Sequence, residues 1–222
     1  MLEHLYFPHD ISTFGPKIDF LFELIFWIVM VVWVLVMIAM VTFMIRYRAR
    51  PGRKAEYIEG NSRLEILWTT ATTVILIVLA LMSRSTWADI KEHGPPGDVF
   101  YQVVGKQFNW EITYPGPDGK FGTKDDLLVE NELHVPVNKV VRIDLTSKDV
   151  IHSFFVPNMR LKQDAVPGRI IHVWFEATET GQYEIPCAEL CGFGHSGMLG
   201  NLTVQTQEDY DKWLKGQYDQ NK

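Results

Sequence analysis

Two stretches of this chain carry no charged side chain over lengths that water-soluble folds seldom use: Ile25–Ile45 and Ile66–Ser83. At about 1.5 Å of rise per residue, the first covers the roughly 30 Å hydrocarbon core of a bilayer. The second lies near the lower length limit and is extended by Leu64 and Glu65. Core helices of soluble proteins are seldom so long and so uniformly apolar, so both are read as transmembrane helices. The first begins too far into the chain, and is too long, for a cleavable signal. Between them lies Arg46-Tyr-Arg48-Ala-Arg50-Pro-Gly-Arg53-Lys54, with Arg63 beyond, whereas the stretch before the first helix sets only Lys17 against Glu3, Asp10 and Asp19. The positive-inside rule then puts the loop in the cytoplasm (or matrix) and both termini outside. The expected layout is residues 1–19 as an outer N-terminal segment, 20–46 as the first span, 47–63 as the cytoplasmic loop, 64–84 as the second span and 85–222 as an outer domain.

From Arg84 onward the chain carries 14 Lys and Arg against 20 Asp and Glu, so the formal net charge of −6 belongs to this stretch. An acidic face favours a basic partner and raises its encounter rate, although mild acidity also serves solubility. Basic residues are sparse in this part and form no stripe, which argues against nucleic acid. Short alternating runs dominate it. Phe108, Trp110, Ile112 and Tyr114 alternate with polar residues, as do Val141, Ile143 and Leu145, and again Ile171, Val173 and Phe175. Several short strands separated by Pro/Gly turns imply a β-sandwich or barrel. Thr206-Gln-Glu-Asp209 looks like a helix start, with Tyr210, Trp213 and Leu214 on one face of a short terminal helix. Asp118-Gly-Lys-Phe-Gly-Thr-Lys-Asp125-Asp126 interrupts the strands. Its acidic spacing fails the EF-hand pattern, so a hairpin tip is the preferred reading.

Chemistry concentrates in Cys187-Ala-Glu-Leu-Cys191-Gly-Phe-Gly-His195-Ser-Gly-Met198, which holds both cysteines of the chain. Thiolate, imidazole and thioether together select copper rather than an oxygen-loving cation. A Cys187–Cys191 disulfide would leave His195 and Met198 without a role. Structural zinc normally takes four Cys or His ligands, and Met is a poor one. A mononuclear blue-copper site is the strongest rival, but it needs one thiolate where this loop offers two. Two thiolates four residues apart can bridge a pair of coppers, and that reading is preferred. It requires a second histidine. His4 and His9 precede the spans, His93 sits beside a Gly-Pro-Pro turn, and His134 and His172 fall in strand patterns. His152, set among apolar residues in Val150-Ile-His152-Ser-Phe-Phe-Val156, is the candidate.

The copper loop resembles that of subunit II of cytochrome c oxidase, the member of the haem-copper oxidase complex that carries the dinuclear CuA centre. Ser147-Lys-Asp-Val-Ile-His152-Ser-Phe-Phe-Val-Pro-Asn-Met-Arg-Leu-Lys-Gln-Asp164-Ala-Val-Pro-Gly168-Arg169 and Gly105-Lys-Gln-Phe108-Asn-Trp110-Glu are similar to the same family. The resemblance implies a two-helix transmembrane hairpin followed by an all-β cupredoxin-like Greek-key barrel domain with a short C-terminal helix. It implies that Cys187 and Cys191 bridge both coppers, that His152 and Met198 complete one, and that His195 and the Glu189 carbonyl complete the other. It assigns the Glu189 carboxylate to a magnesium ion shared with subunit I, and Glu65 to the mouth of a proton channel leading into that subunit. Many relatives have a tryptophan where this chain has Phe108, and that residue receives the electron from cytochrome c. Trp110 matches the second aromatic beside the copper. Asp164 and Arg169 are read as structural or subunit-contacting.

The function so implied is to accept electrons from cytochrome c at CuA and pass them to haem in subunit I, where oxygen is reduced to water with proton pumping. Expected partners are subunit I, other oxidase subunits, the cytochrome c donor and membrane lipid. No Cys-x-x-Cys-His occurs, so no haem is expected in this chain. A quinol-oxidase subunit II would lack the copper ligands, and nitrous oxide reductase would need a further catalytic domain. A membrane-tethered copper chaperone or mononuclear carrier would need only one anchor. A bacterial inner membrane with a periplasmic domain is favoured over the mitochondrial inner membrane.

Overall fold

The computed structural model describes residues 7–54, 56–92 and 94–220; Glu3, His4 and His93 lie outside them. The described residues form two compact units: Asp19–Ala88, and those up to Ile18 together with those from Asp89 onward.

The first unit consists of two long helices, α1 (Gly15–Arg46) and α2 (Ser62–Lys91), which reach slightly past it. Both pass the length and apolarity test for crossing a membrane. Helix α1 is apolar on every face, with Trp27, Val31, Leu35, Ile38 and Phe43 all exposed. Such a surface suits lipid, where a helix also satisfies every internal backbone hydrogen bond. Helix α2 is started by Asn61, whose Oδ1 accepts the amides of Arg63 and Leu64 at 3.1 and 3.2 Å. Glu65 lies in its first turn, where the helix dipole favours a carboxylate. The helix runs on to Lys91, well beyond the uncharged run, because hydropathy marks only its apolar part.

The second unit holds, among the described residues, ten strands and a terminal helix. One sheet has the order β3 (Leu127–Glu130), β2 (Asn109–Tyr114), β1 (Val99–Lys106), β5 (Val140–Ser147), β8 (Ile171–Glu176). A second has β4 (Glu132–Pro136), β10 (Leu199–Gln205), β9 (Gly181–Pro186), and β6 (His152–Val156) pairs with β7 (Leu161–Ala165). The alternations in β2 and β5 point inward as read: Trp110, Ile112 and Tyr114, and Val141, Ile143 and Leu145, are all buried. Phe108 departs from its expected alternation. It sits in the turn before β2 and is 37% exposed. Strand β6 is covered on both faces, which is why its sequence reads apolar around His152. Helix α3 (Gln207–Gln220) starts with a reciprocal cap, Asp209 N–H to Thr206 Oγ1 at 3.2 Å and Thr206 Oγ1–H to Asp209 at 2.8 Å. It packs Trp213 flat on His134, ring centroids 3.8 Å apart. Residues 115–126 form the loop between paired strands β2 and β3, and Asp126 accepts the Gly122 and Thr123 amides at 2.7 and 3.3 Å.

The segment before α1 belongs to this unit. Ser12 bridges Ala177, the Ile11 amide donates to the Asn158 carbonyl at 2.9 Å, and Ile11 and Phe14 are buried in the β core. Ile11→Ala is therefore expected to destabilise the β unit by about 2–5 kcal/mol. The check is a lowered unfolding temperature of the solubilised chain; an unchanged one would show the segment to be passively laid on.

Candidate metal centre

Two pieces of chain build the centre. Strand β6 supplies His152 at its first residue, fully buried. The loop from β9 to β10 supplies the rest, closed at its ends by the Cys187 amide donating to the Met198 carbonyl at 3.0 Å. A Phe154–Cys187 bridge and the Ala188 amide on the Ser153 carbonyl, 3.0 Å, bind that loop to β6. The two are thereby held in fixed register.

The donor atoms converge. Cys187 and Cys191 are free and buried, with sulfurs 3.8 Å apart, far beyond a disulfide bond. His152 Nδ1 lies 3.9 Å from Cys187 Sγ, and the Glu189 carbonyl lies 3.3 Å from the same sulfur. His195 Nδ1 and Met198 Sδ approach Cys191 Sγ at 3.6 and 3.9 Å. His152, Cys187 and Cys191 form a group of ligand atoms that could hold a metal ion. Burial, and then the neighbouring Cys187 thiol, push the Cys191 thiol up to about 11. Two thiols held side by side in an apolar pocket gain little from each other. A soft cation that displaces their protons gains both sulfurs at once, so the donor set fits copper.

Several residues aim these donors. His152 Nε2 faces Asp149 Oδ1 at 2.8 Å, which leaves Nδ1 for the sulfur side. Burial opposes ionisation of Asp149, but hydrogen bonds from His152 and from the Gln107 and Val150 amides hold its carboxyl below the usual range. Gln107 also donates its Nε2–H to the Cys191 carbonyl at 2.6 Å, tying the β1–β2 turn to the loop. Trp110 stands edge-on to His152 and Phe154, with centroids at 6.0 and 5.5 Å, and donates Nε1–H to the Ile185 carbonyl. Gly105 is required here, because a Cβ on it would come within 2.9 Å of the His152 ring. Gly194 is required too, since its Cβ would meet the Phe108 ring at 2.5 Å. Asp149 and Gln107 escaped the sequence reading. The only signal was an acidic residue three before the candidate histidine, a spacing that is ordinary in any turn.

Glu189 and Leu190 are exposed beside the buried cysteines, and Phe193 is fully exposed. Trp110 is fully buried, while Phe108 lies half-exposed against the loop. His134 bonds Gln205 and His172 bonds Asp144, so both are engaged away from the sulfurs. Asp164 accepts the buried Ser153 hydroxyl at 2.7 Å. Glu65 lies in the helical unit at the start of α2.

An all-β domain that wraps one loop and one strand end around sulfur and imidazole donors, attached to two helices of membrane-spanning length, defines a membrane-anchored cupredoxin-like protein with a candidate metal centre. Family models agree. Residues 101–205 match the periplasmic domain of cytochrome c oxidase subunit II, and residues 2–85 match its transmembrane domain. The alternative cytochrome c oxidase subunit 2 of Bradyrhizobium diazoefficiens is 31% identical over 98% of this chain and 87% of the relative. Cytochrome c oxidase subunit 2 of Thermostichus vulcanus is 31% identical over 96% of this chain and 78% of the relative. The crystal structure of the periplasmic domain of subunit II from Bradyrhizobium japonicum is 34% identical, with a TM-score of 0.51 over 57% of this chain and 97% of that one. This chain belongs to the cytochrome c oxidase subunit II family. It is thereby a subunit of a haem-copper oxidase, an oxidoreductase complex, with two membrane-spanning helices and a periplasmic domain.

Proposed function

We propose that this chain takes up electrons for the oxidase at a dinuclear CuA centre held by His152, Cys187, the Glu189 carbonyl, Cys191, His195 and Met198. A cytochrome c would deliver them, and haem in subunit I would receive them for oxygen reduction coupled to proton pumping. The observation that carries this reading is the pair of buried, unbonded thiols with two imidazoles, a thioether and a carbonyl gathered round them. When bound, copper would supply a one-electron carrier at these donors, with Cys187 and Cys191 as the residues that would hold it. Asp149 fixes the His152 ring, Gln107 holds the loop backbone, and Trp110 and Phe154 exclude water from behind. A site held so rigidly by its packing changes shape little when its charge changes.

Phe108 is the proposed point of electron uptake, because its ring is partly exposed and lies against the metal loop while Trp110 is sealed within the core. The Glu189 carboxylate is proposed to reach a magnesium ion shared with subunit I. Glu65, at the start of α2, is proposed to stand at a proton-channel mouth. The proposed layout keeps residues 1–19 and 85–222 outside, 20–46 and 64–84 as spans and 47–63 in the cytoplasm. The docking of Ile11 and Ser12 on the β unit supports a shared side for the N-terminal segment and the outer domain.

Copper analysis and electron paramagnetic resonance test the reading. About two coppers per chain and a mixed-valence signal spread over both are expected. One copper would favour a mononuclear carrier, and none a quinol-oxidase type. Asp149→Ala should lower copper affinity by about 10–100-fold while the fold persists, measured by competition with a chelator. Unchanged affinity would show that His152 needs no such support.

A further inference from the structure

We propose that the turn following α1 is a binding pocket for the phosphate headgroup of an anionic phospholipid. Residues 46–54 include Arg46, Arg48, Arg50, Arg53 and Lys54 and no acidic residue. Topology alone explains why such charges are present but not how they are arranged. Arg48, Arg50, Arg53 and Lys54 line one cavity of about 700 Å³ together with Tyr47, and Glu56 is the acidic side chain on its wall. That size lies within the range of ligand pockets. The loop is built to hold this shape. Arg53 donates Nη1–H to the Arg46 carbonyl at 3.1 Å, capping the end of α1, and its guanidinium lies 5.8 Å from the Tyr47 ring centroid. The Arg53 amide closes a turn on the Arg50 carbonyl at 3.2 Å, with Gly52 at φ 78. Arg53 is thus occupied in shaping the loop. Among the described residues, no carboxylate pairs with Arg48, Arg50 or Lys54.

Depth selects the occupant. The apolar run ends at Ile45, so the pocket begins about 3 Å beyond the hydrocarbon edge, inside a headgroup layer roughly 5–7 Å thick. Guanidinium groups grip phosphate oxygens in pairs, and cations at this depth are drawn to anionic lipid. Lipid phosphate is therefore the ligand rather than phosphate free in solution.

The test uses the full chain in phosphatidylcholine vesicles carrying traces of spin-labelled phosphatidylglycerol or spin-labelled phosphatidylcholine. The motionally restricted fraction of the anionic label should exceed that of the neutral label several-fold. Arg48→Lys with Arg50→Lys keeps the charge, and so the orientation in the membrane, but loses the paired grip. It should cut the preference severalfold. Glu56→Gln should raise it. Equal restriction of the two labels, or a preference untouched by both variants, overturns the proposal. Release of the anionic label by millimolar glycerol 3-phosphate overturns it in favour of a soluble phosphate. Loss of the preference on assembly with the haem-bearing subunit overturns it in favour of a protein contact.

Discussion

Replacing Cys191 by serine is expected to lower bound copper from about two per chain to one or fewer, and to abolish the delocalised mixed-valence signal. The reason lies in where the donors meet. His195 Nδ1 and Met198 Sδ both face the Cys191 sulfur, at 3.6 and 3.9 Å, and the Cys187 sulfur is 3.8 Å away. A hydroxyl at that point is nearly the same size but is neither soft nor deprotonated at neutral pH, so it cannot bridge two coppers. Packing should survive, because the burial of this residue rests on the loop backbone. Far-ultraviolet circular dichroism of the variant should match the parent. Retention of two coppers with the delocalised signal would falsify the bridging role of Cys191.

Trp110→Ala should be the most damaging change in the β core, at about 3–5 kcal/mol. That is a large share of the roughly 5–15 kcal/mol that stabilises a typical domain. Trp110 is fully buried, its Nε1–H donates to the Ile185 carbonyl at 3.2 Å, and its ring edges meet His152 and Phe154. Truncation would open a void behind His152 and remove the Nε1–H bond to the Ile185 carbonyl. Trp110→Phe keeps most of the volume and should cost less than the alanine variant. Denaturant unfolding of the metal-free chain reads both. An alanine variant within about 1 kcal/mol of the parent would mean that the wall collapses to fill the gap.

Much of this was legible in the residues, and the exceptions have physical causes. The clustering of donors in the loop after β9 could be read because unlike soft donors at close spacing have few other uses. Strands β2 and β5 could be read because one face of each is buried and the other wet. Phe108 fitted the arithmetic of alternation but not its cause, since the turn between β1 and β2 takes it out of the strand. His152 was found by the demand of the loop rather than by its own surroundings, because a strand covered on both faces shows no alternation. Asn61 at the head of α2, and Asp149 beneath His152, each act through one or two hydrogen bonds that leave no periodic trace. The stretch around Ile11 was too short to declare itself. Its two apolar residues, Ile11 and Phe14, gain meaning only from the β core that receives them.

That docking fixes an order of events. The Asn158 side chain donates to the His9 carbonyl across 149 residues of sequence, so a segment ahead of both helices must wait for partners made after them. Until they arrive, the β core lacks one of its walls, and both helices have already had to find their places. Closing so long a chain carries an entropic cost that grows only slowly with length, so the delay is one of timing more than of stability. A segment translated ahead of both helices acts as a late clasp.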